Sequence, residues 1–421
     1  MLAKEQLKQI LIEQKEALLK KPYGIEREQI LSIPEYKKIP HVIVITGLRR
    51  VGKSTFLRQI ISKYYSDSDF YYVSFEDERL FNFKAENFNE IYETLVELYG
   101  EQKTFFLDEI QNIPAFENFI RRFYDAGFKF YITGSNANLL SKEIGTKLTG
   151  RHVDLLIPPF TFYEYLLFNN VTINNEMFYK TESKAIVKKL FDEYLTNGGM
   201  PEFLQFKEPE ILRRIYEDIV IKDIAVRYGI VNLFEMRELY QYLITNFGNR
   251  FSFTRVKKIV GLGSVNTVKN YLHFLTETYF VSLVNKFEYS LKKQIANEKK
   301  LYVIDNGFIQ RISTKLNKDK GWLLENLVFN KLNRTDTIFY FSVLNAECDF
   351  IVQSGKEIKQ VIQVCWELTK ENEKRELKGL LEAIKYFKMN SGLILTSDQE
   401  NEMIIEDKKI IIKPVWKWLL Q

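Results

Sequence analysis

The sequence predicts an α/β protein whose core is a parallel sheet that binds a phosphate group. Three observations carry this prediction. They are a glycine-rich loop between a strand and a helix, an alternation of strand-like and helix-like runs up to about residue 160, and an apolar strand that ends in two carboxylates. Such alternation is typical of a parallel sheet covered by helices. The residues within these patterns predict the chemistry.

The glycine-rich loop is the most specific motif of the chain. It reads Gly47-Leu48-Arg49-Arg50-Val51-Gly52-Lys53-Ser54-Thr55, after the apolar run His41–Thr46 and before the helical run Phe56–Tyr65. The glycines let the backbone curl around a phosphate, while N–H groups at the helix start point at it. Lys53 would neutralise β- and γ-phosphate oxygens, and Ser54 would bind Mg²⁺. All nine residues are therefore predicted to bind ATP, and no guanine-reading Asn-Lys-x-Asp follows the fourth strand.

Two carboxylates at the end of the third strand-like run complete a predicted hydrolytic site. The runs after the first are Phe70–Phe75, Thr104–Leu107, Lys129–Thr133 and Val153–Ile157. Asp108 and Glu109 follow the run that begins at Thr104, so they should meet Lys53 at the carboxyl edge of the sheet. Asp108 would hold Mg²⁺ with Ser54, and Glu109 would act as the general base on the attacking water.

Two further polar positions allow either a catalytic or a structural reading. Ser135 or Asn136, after the fourth run, could hydrogen-bond the γ-phosphate or the water, and Asn136 is equally suited to cap the helix at Ala137–Ile144. Arg151 precedes the fifth run. In oligomeric ATPases of this type an arginine there reaches a neighbour's γ-phosphate, so Arg151 is a candidate arginine finger of a homo-oligomer. The alternative is a surface salt bridge.

The rest of the chain divides into three predicted parts after the P-loop NTPase core of residues 1–160. Residues 161–249 read as a helical lid, interrupted by the turn Gly198–Pro201. Residues 250–310 read as a winged helix with short helices at Phe253–Val260 and Val265–Glu277. Residues 311–421 read as a separate α/β unit whose final strand is Gly392–Thr396.

The second helix of the predicted winged helix indicates a macromolecular partner. Its apolar residues, Val265, Val268, Leu272 and Leu275, share one face and leave Asn266, Lys269, Asn270 and His273 on the other. Such side chains can contact base edges or phosphates if the helix enters a major groove. Arg255–Lys300 holds nine Lys or Arg and three Glu, a net +6 against +5 for the whole chain. DNA is the predicted partner; a protein partner or a merely solvated face is the alternative.

Composition favours a cytoplasmic protein with no membrane span. Cys348 and Cys365 are the only cysteines, so no disulfide framework is implied and a reducing compartment is expected. Met1–Lys20 alternates charges with leucines, unlike a signal peptide. No window approaches eighteen uncharged apolar residues.

Taken together, the motifs resemble the AAA-type P-loop ATPases of archaea and bacteria that carry a C-terminal domain of unknown function. The matching stretches are ITGLRRVGKST, FFLDEIQNI, ITGSNANLL, LTGRH, NGGMPE, VIDNG and ENLVFNKL…AECDF, between about Pro40 and Thr396. The resemblance implies an ASCE-type core, a helical lid, a winged helix and a restriction-endonuclease-like C-terminal domain. No arginine accompanies the Gly198–Pro201 turn, so a phosphate sensor on the lid is not expected.

The C-terminal resemblance also implies a metal site, from which this sequence departs. Glu325, Glu347 and Asp349 resemble the metal-binding carboxylates of restriction-like nucleases. Those enzymes continue with Glu-x-Lys on the next strand, where this chain has Gln363 and Cys365. A neutral amide binds Mg²⁺ poorly and a thiol cannot supply the charge of lysine. The sequence therefore predicts a degenerate nuclease fold that serves binding or scaffolding rather than cleavage, in which Glu325 and Asp349 could still hold one metal ion weakly.

The combined prediction is a Mg²⁺-dependent ATPase that couples its nucleotide state to DNA-associated work through the winged-helix and nuclease-like parts. The alternative is an ATP-driven signalling or assembly switch that acts on an unknown protein partner.

Overall fold

The computed structural model describes residues 3–134, 148, 150–315 and 319–421. The chain divides into two compact units. The first comprises residues up to Pro158 together with Glu277–Tyr279, and the second comprises Pro159–Thr276 and Phe280–Gln421. Among the residues described, none of the helices combines the length and hydropathy that a membrane crossing needs.

The first unit contains the predicted parallel sheet. Its five strands are β1 (Val42–Thr46), β2 (Tyr71–Ser74), β3 (Thr104–Asp108), β4 (Lys129–Gly134) and β5 (His152–Leu156). They pair in the order β2-β3-β4-β1-β5, and every pairing is parallel. Its helices are α1 (Lys4–Lys20), α2 (Ile33–Lys38), α3 (Lys53–Tyr64), α4 (Phe88–Tyr99) and α5 (Phe116–Asp125). All five residues of β1 are buried, as expected for a strand covered on both faces.

Helix α1 covers the edge of the sheet at β2, a role that the sequence pattern did not indicate. The Gln14 side chain accepts a hydrogen bond from Ser74 N (2.9 Å) and donates one to Ser74 O (3.0 Å). Lys15 Nζ donates to Phe70 O at 3.3 Å. Side chains thus satisfy backbone groups that an edge strand would otherwise present to another chain.

The second unit combines helices with a mixed eight-stranded sheet. Its helices are α6 (Phe162–Phe168), α7 (Thr181–Asn197), α8 (Pro201–Phe206), α9 (Pro209–Asp218), α10 (Leu233–Thr245), α11 (Phe253–Val260), α12 (Val265–Glu277), α13 (Leu291–Ala296), α14 (Asn306–Ile312), α15 (Lys320–Leu332), α16 (Glu373–Tyr386) and α17 (Val415–Trp418), and Ile219–Val226 is a π-helix. Its strands are β6 (Val281–Lys286), β7 (Lys299–Val303), β8 (Thr337–Val343), β9 (Ala346–Ser354), β10 (Glu357–Val364), β11 (Ser391–Thr396), β12 (Asn401–Ile405) and β13 (Lys408–Pro414). The order is β12-β13-β11-β10-β9-β8-β6-β7.

The C-terminal sheet extends beyond the strand predicted to be its last. Strands β12 and β13 follow β11 and form an antiparallel hairpin. The two residues at its turn, Glu406 and Asp407, have φ values of 50° and 61°. A two-residue hairpin turn requires such left-handed residues and most often uses Asn or Gly there. The prediction that Gly392–Thr396 ends the sheet was therefore wrong, because the turn lacks its usual residues.

A buried carboxylate holds the Gly198–Pro201 turn. Asp305 Oδ2 accepts a hydrogen bond from Gly199 N at 2.6 Å, and Oδ1 accepts one from Gly307 N at 2.8 Å. A Cβ atom on Gly198, whose φ is 74°, would lie 1.9 Å from Asp305 Oδ1. The NGGMPE and VIDNG motifs thus contact each other through Asp305. The closeness of Asp305 explains why position 198 requires glycine.

The Asp305 contact should make the second unit less stable as the pH rises. Burial raises the pKa of Asp305 to about 6 from an ordinary value of 3.8, although two backbone N–H groups oppose the rise. A raised folded pKa gives a stabilisation that is complete below the unfolded pKa and lost as the pH passes through the folded one. Between pH 5 and pH 7 the wild type should therefore lose about 1 kcal/mol more unfolding free energy than Asp305→Asn.

Urea denaturation at both pH values measures this difference. Asp319 is the matched control, because its Oδ1 accepts from Gly321 N at the same 2.8 Å distance in an exposed position. Asp319→Asn should leave the pH dependence of the wild type unchanged. Equal pH dependence in the wild type and Asp305→Asn would contradict the assigned titration.

Candidate functional site

The glycine-rich loop connects the carboxyl end of β1 to the start of α3. Gly47 has φ 143°, and a Cβ atom there would lie 2.3 Å from Ile157 O, so the loop approaches the end of β5 too closely for any other residue. Gly52 has φ 100° and directly precedes α3. The first N–H groups of a helix have no partner within it, and they face this loop as the sequence predicts.

Lys53 meets Glu109 at the loop, as their predicted roles require. The side chain of Lys53 is buried, and its Nζ donates to Gly47 O at 3.3 Å and Leu48 O at 3.2 Å. The same atom lies 3.6 Å from Glu109 Oε1. The Lys53 ammonium therefore contacts two neutral carbonyls of the loop and the carboxylate of Glu109.

Thr133, which sequence reasoning did not select, fixes the two carboxylates. Its hydroxyl accepts a hydrogen bond from Glu109 N at 2.9 Å and donates one to Asp108 Oδ1 at 2.5 Å. Glu109 has a left-handed φ of 50°, uncommon for a residue with a side chain. The sequence did offer a signal for Thr133, because its hydroxyl stands at the end of the fourth strand-like run, two residues before the predicted Ser135.

Asp108 and Ser54 are suited to a divalent cation. Both line a cavity of about 410 Å³. Burial raises the pKa of Asp108 and repulsion from Glu109 adds to it, against the Thr133 and Ser54 hydroxyls and the Lys53 ammonium. A bound cation would relieve the cost of this buried charge, and carboxylate and hydroxyl oxygens are ligands that Mg²⁺ accepts. The residues present therefore fit the predicted metal.

Arg151 lies apart from the other predicted catalytic residues of its own chain. Its carbonyl accepts a hydrogen bond from Val42 N, at the start of β1, whereas the P-loop follows the end of that strand. Its guanidinium pairs with Asp125 Oδ1 at 2.7 Å and lies 5.5 Å from the Tyr124 ring centre. Ser135 and Asn136, the other predicted polar positions, lie outside the described residues.

Arg27 is a second residue that sequence reasoning missed. It is buried, and its Nη1 donates to Val51 O at 3.0 Å while its Nη2 donates to Pro158 O. Gln59 on α3 accepts a hydrogen bond from Arg27 N at 3.2 Å. Arg27 therefore ties the P-loop to the end of β5. It stands in a run of mixed charges with no motif to single it out.

The predicted partner face of α12 is exposed. Three of the four predicted apolar residues, Val268, Leu272 and Leu275, are buried, and the fourth, at the start of the helix, is half-buried. Asn266, Lys269, Asn270 and His273 are all exposed. Lys269 Nζ lies 5.6 Å from the ring centre of Phe253 on α11. The periodicity therefore separated buried from exposed residues correctly.

The fold and the site together have the arrangement of a P-loop protein. The loop follows β1, the Asp-Glu pair ends β3, and β4 lies between these two strands. A family described as the AAA domain matches residues 40–166, and a domain of unknown function (DUF8612) matches residues 188–319.

Two relatives match along nearly their whole length. An uncharacterized protein of Methanocaldococcus jannaschii is 38% identical over 408 residues, which cover 92% of this chain and 90% of that protein. The chain belongs to the family of this archaeal protein. An uncharacterized protein of Haemophilus influenzae is 28% identical over 412 residues, covering 94% of this chain and 99% of that protein.

Two solved structures of lower sequence identity match this chain over most of their own length. The Thermotoga maritima RuvB Holliday junction branch migration motor is 16% identical with a TM-score of 0.29, covering 63% of this chain and 93% of that one. The Aeropyrum pernix ORC2 protein, in its ADP form, is 13% identical with a TM-score of 0.31, covering 63% and 90%.

Proposed function

We propose that the protein binds ATP with Mg²⁺ and hydrolyses it at the P-loop. The observation that carries the proposal is the convergence of Lys53, Asp108 and Glu109, with Lys53 Nζ 3.6 Å from Glu109 Oε1. Ser54 and Asp108 would hold Mg²⁺, which supplies charge neutralisation to the phosphates when bound. Asn136, or Ser135 beside it, would contact the γ-phosphate or the attacking water.

The ion pair between Lys53 and Glu109 gives the site a way to keep its base inactive until nucleotide arrives. Phosphate oxygens carry more charge than the Gly47 and Leu48 carbonyls, so Lys53 would turn toward them and form stronger, charge-assisted hydrogen bonds. Glu109 would then lose its ammonium partner. Released from that contact, Glu109 would accept the proton of the attacking water.

Substitution of Lys53 and Glu109 tests this chemistry. Lys53→Ala should abolish ATP turnover and weaken ATP binding, because the phosphates lose their charged partner. Glu109→Gln should bind ATP about as tightly as the wild type but hydrolyse it at least 100-fold more slowly, as expected when a general base is lost. Phosphate release and equilibrium ATP binding are the measurements.

Lys63→Ala is the matched control for that experiment. Lys63 lies on the same helix, is exposed, and pairs with Glu26 at 2.9 Å. Its removal should change neither quantity. Full turnover in Lys53→Ala would refute the proposed site.

We also propose that Arg151 acts on the nucleotide of a neighbouring copy of the chain. Arg151 lies at the amino end of β5, and the P-loop of the same chain follows the carboxyl end of β1. Because β1 and β5 are parallel, these are opposite ends of the strands, which supports action of Arg151 between subunits. An arginine that stabilises phosphoryl transfer can raise kcat by several orders of magnitude. Such a site is complete only in a homo-oligomer.

Mixing two inactive variants tests this arrangement. Arg151→Ala and Glu109→Gln should each turn over slowly, and an equal mixture should regain roughly a quarter of wild-type turnover, because random assembly combines an intact site with an intact arginine. Arg121→Ala, an exposed arginine on α5, is the control that should stay active. Full activity of Arg151→Ala alone, or no recovery on mixing, would refute the assignment.

We further propose that ATP turnover is linked to DNA through the winged-helix part, at the exposed face of α12 that contains Asn266, Lys269, Asn270 and His273. The exposed cations of Arg255–Lys300 favour DNA over the alternative, a protein partner controlled as a signalling or assembly switch. They are Arg255, Lys258, Lys269, Lys292 and Lys293.

Duplex DNA binding at several salt concentrations distinguishes these partners. Wild-type affinity should fall steeply with salt, and Lys269→Ala should weaken binding and reduce the salt slope by about 1. Lys374→Ala, an exposed lysine on α16, is the control that should bind as the wild type does. Absence of salt-dependent binding, or no stimulation of ATPase activity by DNA, would favour the protein partner.

A further inference from the structure

A cavity of about 720 Å³ in the second unit brings together the carboxylates that the sequence associated with a nuclease metal site. Glu325 comes from α15, and Glu347 and Asp349 come from β9. Gln363 at the end of β10 and Cys365 just after it line the same cavity. The predicted grouping of these residues is therefore present, and their partners decide what it holds.

A lysine occupies the centre of this carboxylate group. Lys300, on β7, places its Nζ 2.8 Å from Glu347 Oε1, 3.2 Å from Glu325 Oε1 and 3.5 Å from Asp349 Oδ1. Lys300 is only 1% exposed. A single ammonium thus contacts one oxygen of each carboxylate that the nuclease resemblance assigned to a metal.

The second oxygens of Asp349 and Glu347 also have partners. Asp349 Oδ2 accepts a hydrogen bond from Val364 N at 2.9 Å, and Glu347 Oε2 lies 3.2 Å from Arg250 Nε. Glu325 Oε1 additionally accepts one from the Tyr302 hydroxyl at 2.6 Å. Within the described ranges, no three His, Cys, Asp or Glu residues are arranged to hold a metal ion.

The position of Gln363 shows how the pocket does without the acid of the nuclease motif. Its Oε1 accepts a hydrogen bond from Asp349 N at 3.3 Å, and its Nε2 donates one to Glu376 Oε2 at 2.8 Å. The amide therefore joins the backbone of Asp349 to the Glu376 carboxylate, and a carboxylate in its place could not donate to Glu376 and would repel it. The substitution fits a pocket organised around hydrogen bonds and an internal ammonium.

The electrostatics favour a permanently charged Lys300. Glu347, Glu325 and Asp349 each have an oxygen within 3.5 Å of the Lys300 ammonium, which is almost completely buried. Removing the ammonium would leave the buried carboxylates of Glu325 and Asp349 without this counter-ion, which is strongly unfavourable. A divalent ion at the same oxygens would also have to lie beside this charge.

We propose that Lys300 is the resident cation of this pocket, and that Glu325, Glu347 and Asp349 consequently do not bind Mg²⁺ or Mn²⁺ in the native protein. The fold retains the carboxylates of a metal site but fills the position of the ion with its own side chain. This inference is independent of ATP hydrolysis, since it rests on contacts within the second unit.

Mn²⁺ binding to the full-length chain without nucleotide tests the proposal, with free Mn²⁺ measured by electron paramagnetic resonance. Lys300→Met keeps the length of the side chain and removes its charge. This variant should bind one Mn²⁺ ion more than the wild type. The affinity of its carboxylate group for Mn²⁺ should be at least tenfold higher than that of the same group in the wild type. The double variant Lys300→Met/Glu347→Gln should lose that ion.

Lys299→Met is the matched control. Lys299 is the adjacent buried lysine of β7, and its Nζ donates to Gln294 O rather than to a carboxylate of the pocket. This variant should bind Mn²⁺ as the wild type does. Equal Mn²⁺ binding by folded Lys300→Met and the wild type would overturn the proposal.

A comparison of the wild type with Glu347→Gln keeps the test decisive if Lys300→Met fails to fold. The Glu347 side chain is 32% exposed, so its replacement leaves the buried core intact. The proposal requires that both proteins bind Mn²⁺ equally. A Mn²⁺ ion that the wild type holds and Glu347→Gln loses would show that the pocket is a metal site despite Lys300.

Discussion

The insertion of β4 between β1 and β3 is the constraint on which the phosphate site depends. Because all five strands run in parallel, their carboxyl ends lie at one edge of the sheet. Thr46 lies opposite Gly134, and Leu107 lies opposite Ile132. This register places the Thr133 hydroxyl beside Asp108 and Glu109 while the loop after β1 brings Lys53 to them. A slip of one residue along β4 would turn Thr133 to the other face of the sheet.

Two buried lysines, Lys53 and Lys300, contact carboxylates, and their surroundings give these contacts opposite consequences. Lys53 has one carboxylate partner, Glu109, whose side chain is 17% exposed. The other two partners of Lys53 are neutral backbone carbonyls. Lys300 has three carboxylate partners and a side chain that is 2% exposed. On the proposed mechanism, Lys53 would exchange its partners when the more strongly charged phosphates enter. Lys300 cannot, because a buried charge that loses its counter-ions is strongly disfavoured.

The sequence predicted what depends on local patterns and missed what depends on distant pairing. Lys53, Ser54, Asp108 and Glu109 could be found because each motif adjoins its own strand. Thr133, Arg27 and Lys300 could not, since their partners are at least 24 residues away in the chain. The glycine pair at Gly198 was recognised as a turn, but its cause, Asp305, lies 106 residues beyond Gly199. The hairpin after β11 was missed because Glu406 and Asp407 are not the residues that usually mark such a turn.

The pairing of β6 with β8 has a consequence for the predicted boundary at residue 310. Asn285 and Lys286 lie opposite Phe339 and Tyr340, so one sheet contains strands from both sides of that boundary. Lys300 adds a buried ion pair with Glu325 across the same boundary. A domain in the folding sense has a core of its own. Residues 250–310 and 311–421 instead share strand hydrogen bonds and buried charge, so a cut between them would expose an unpaired strand edge and leave Glu325 without its ammonium. Any division of labour between the α12 face and the carboxylate pocket is thus a division of surfaces on one folded body.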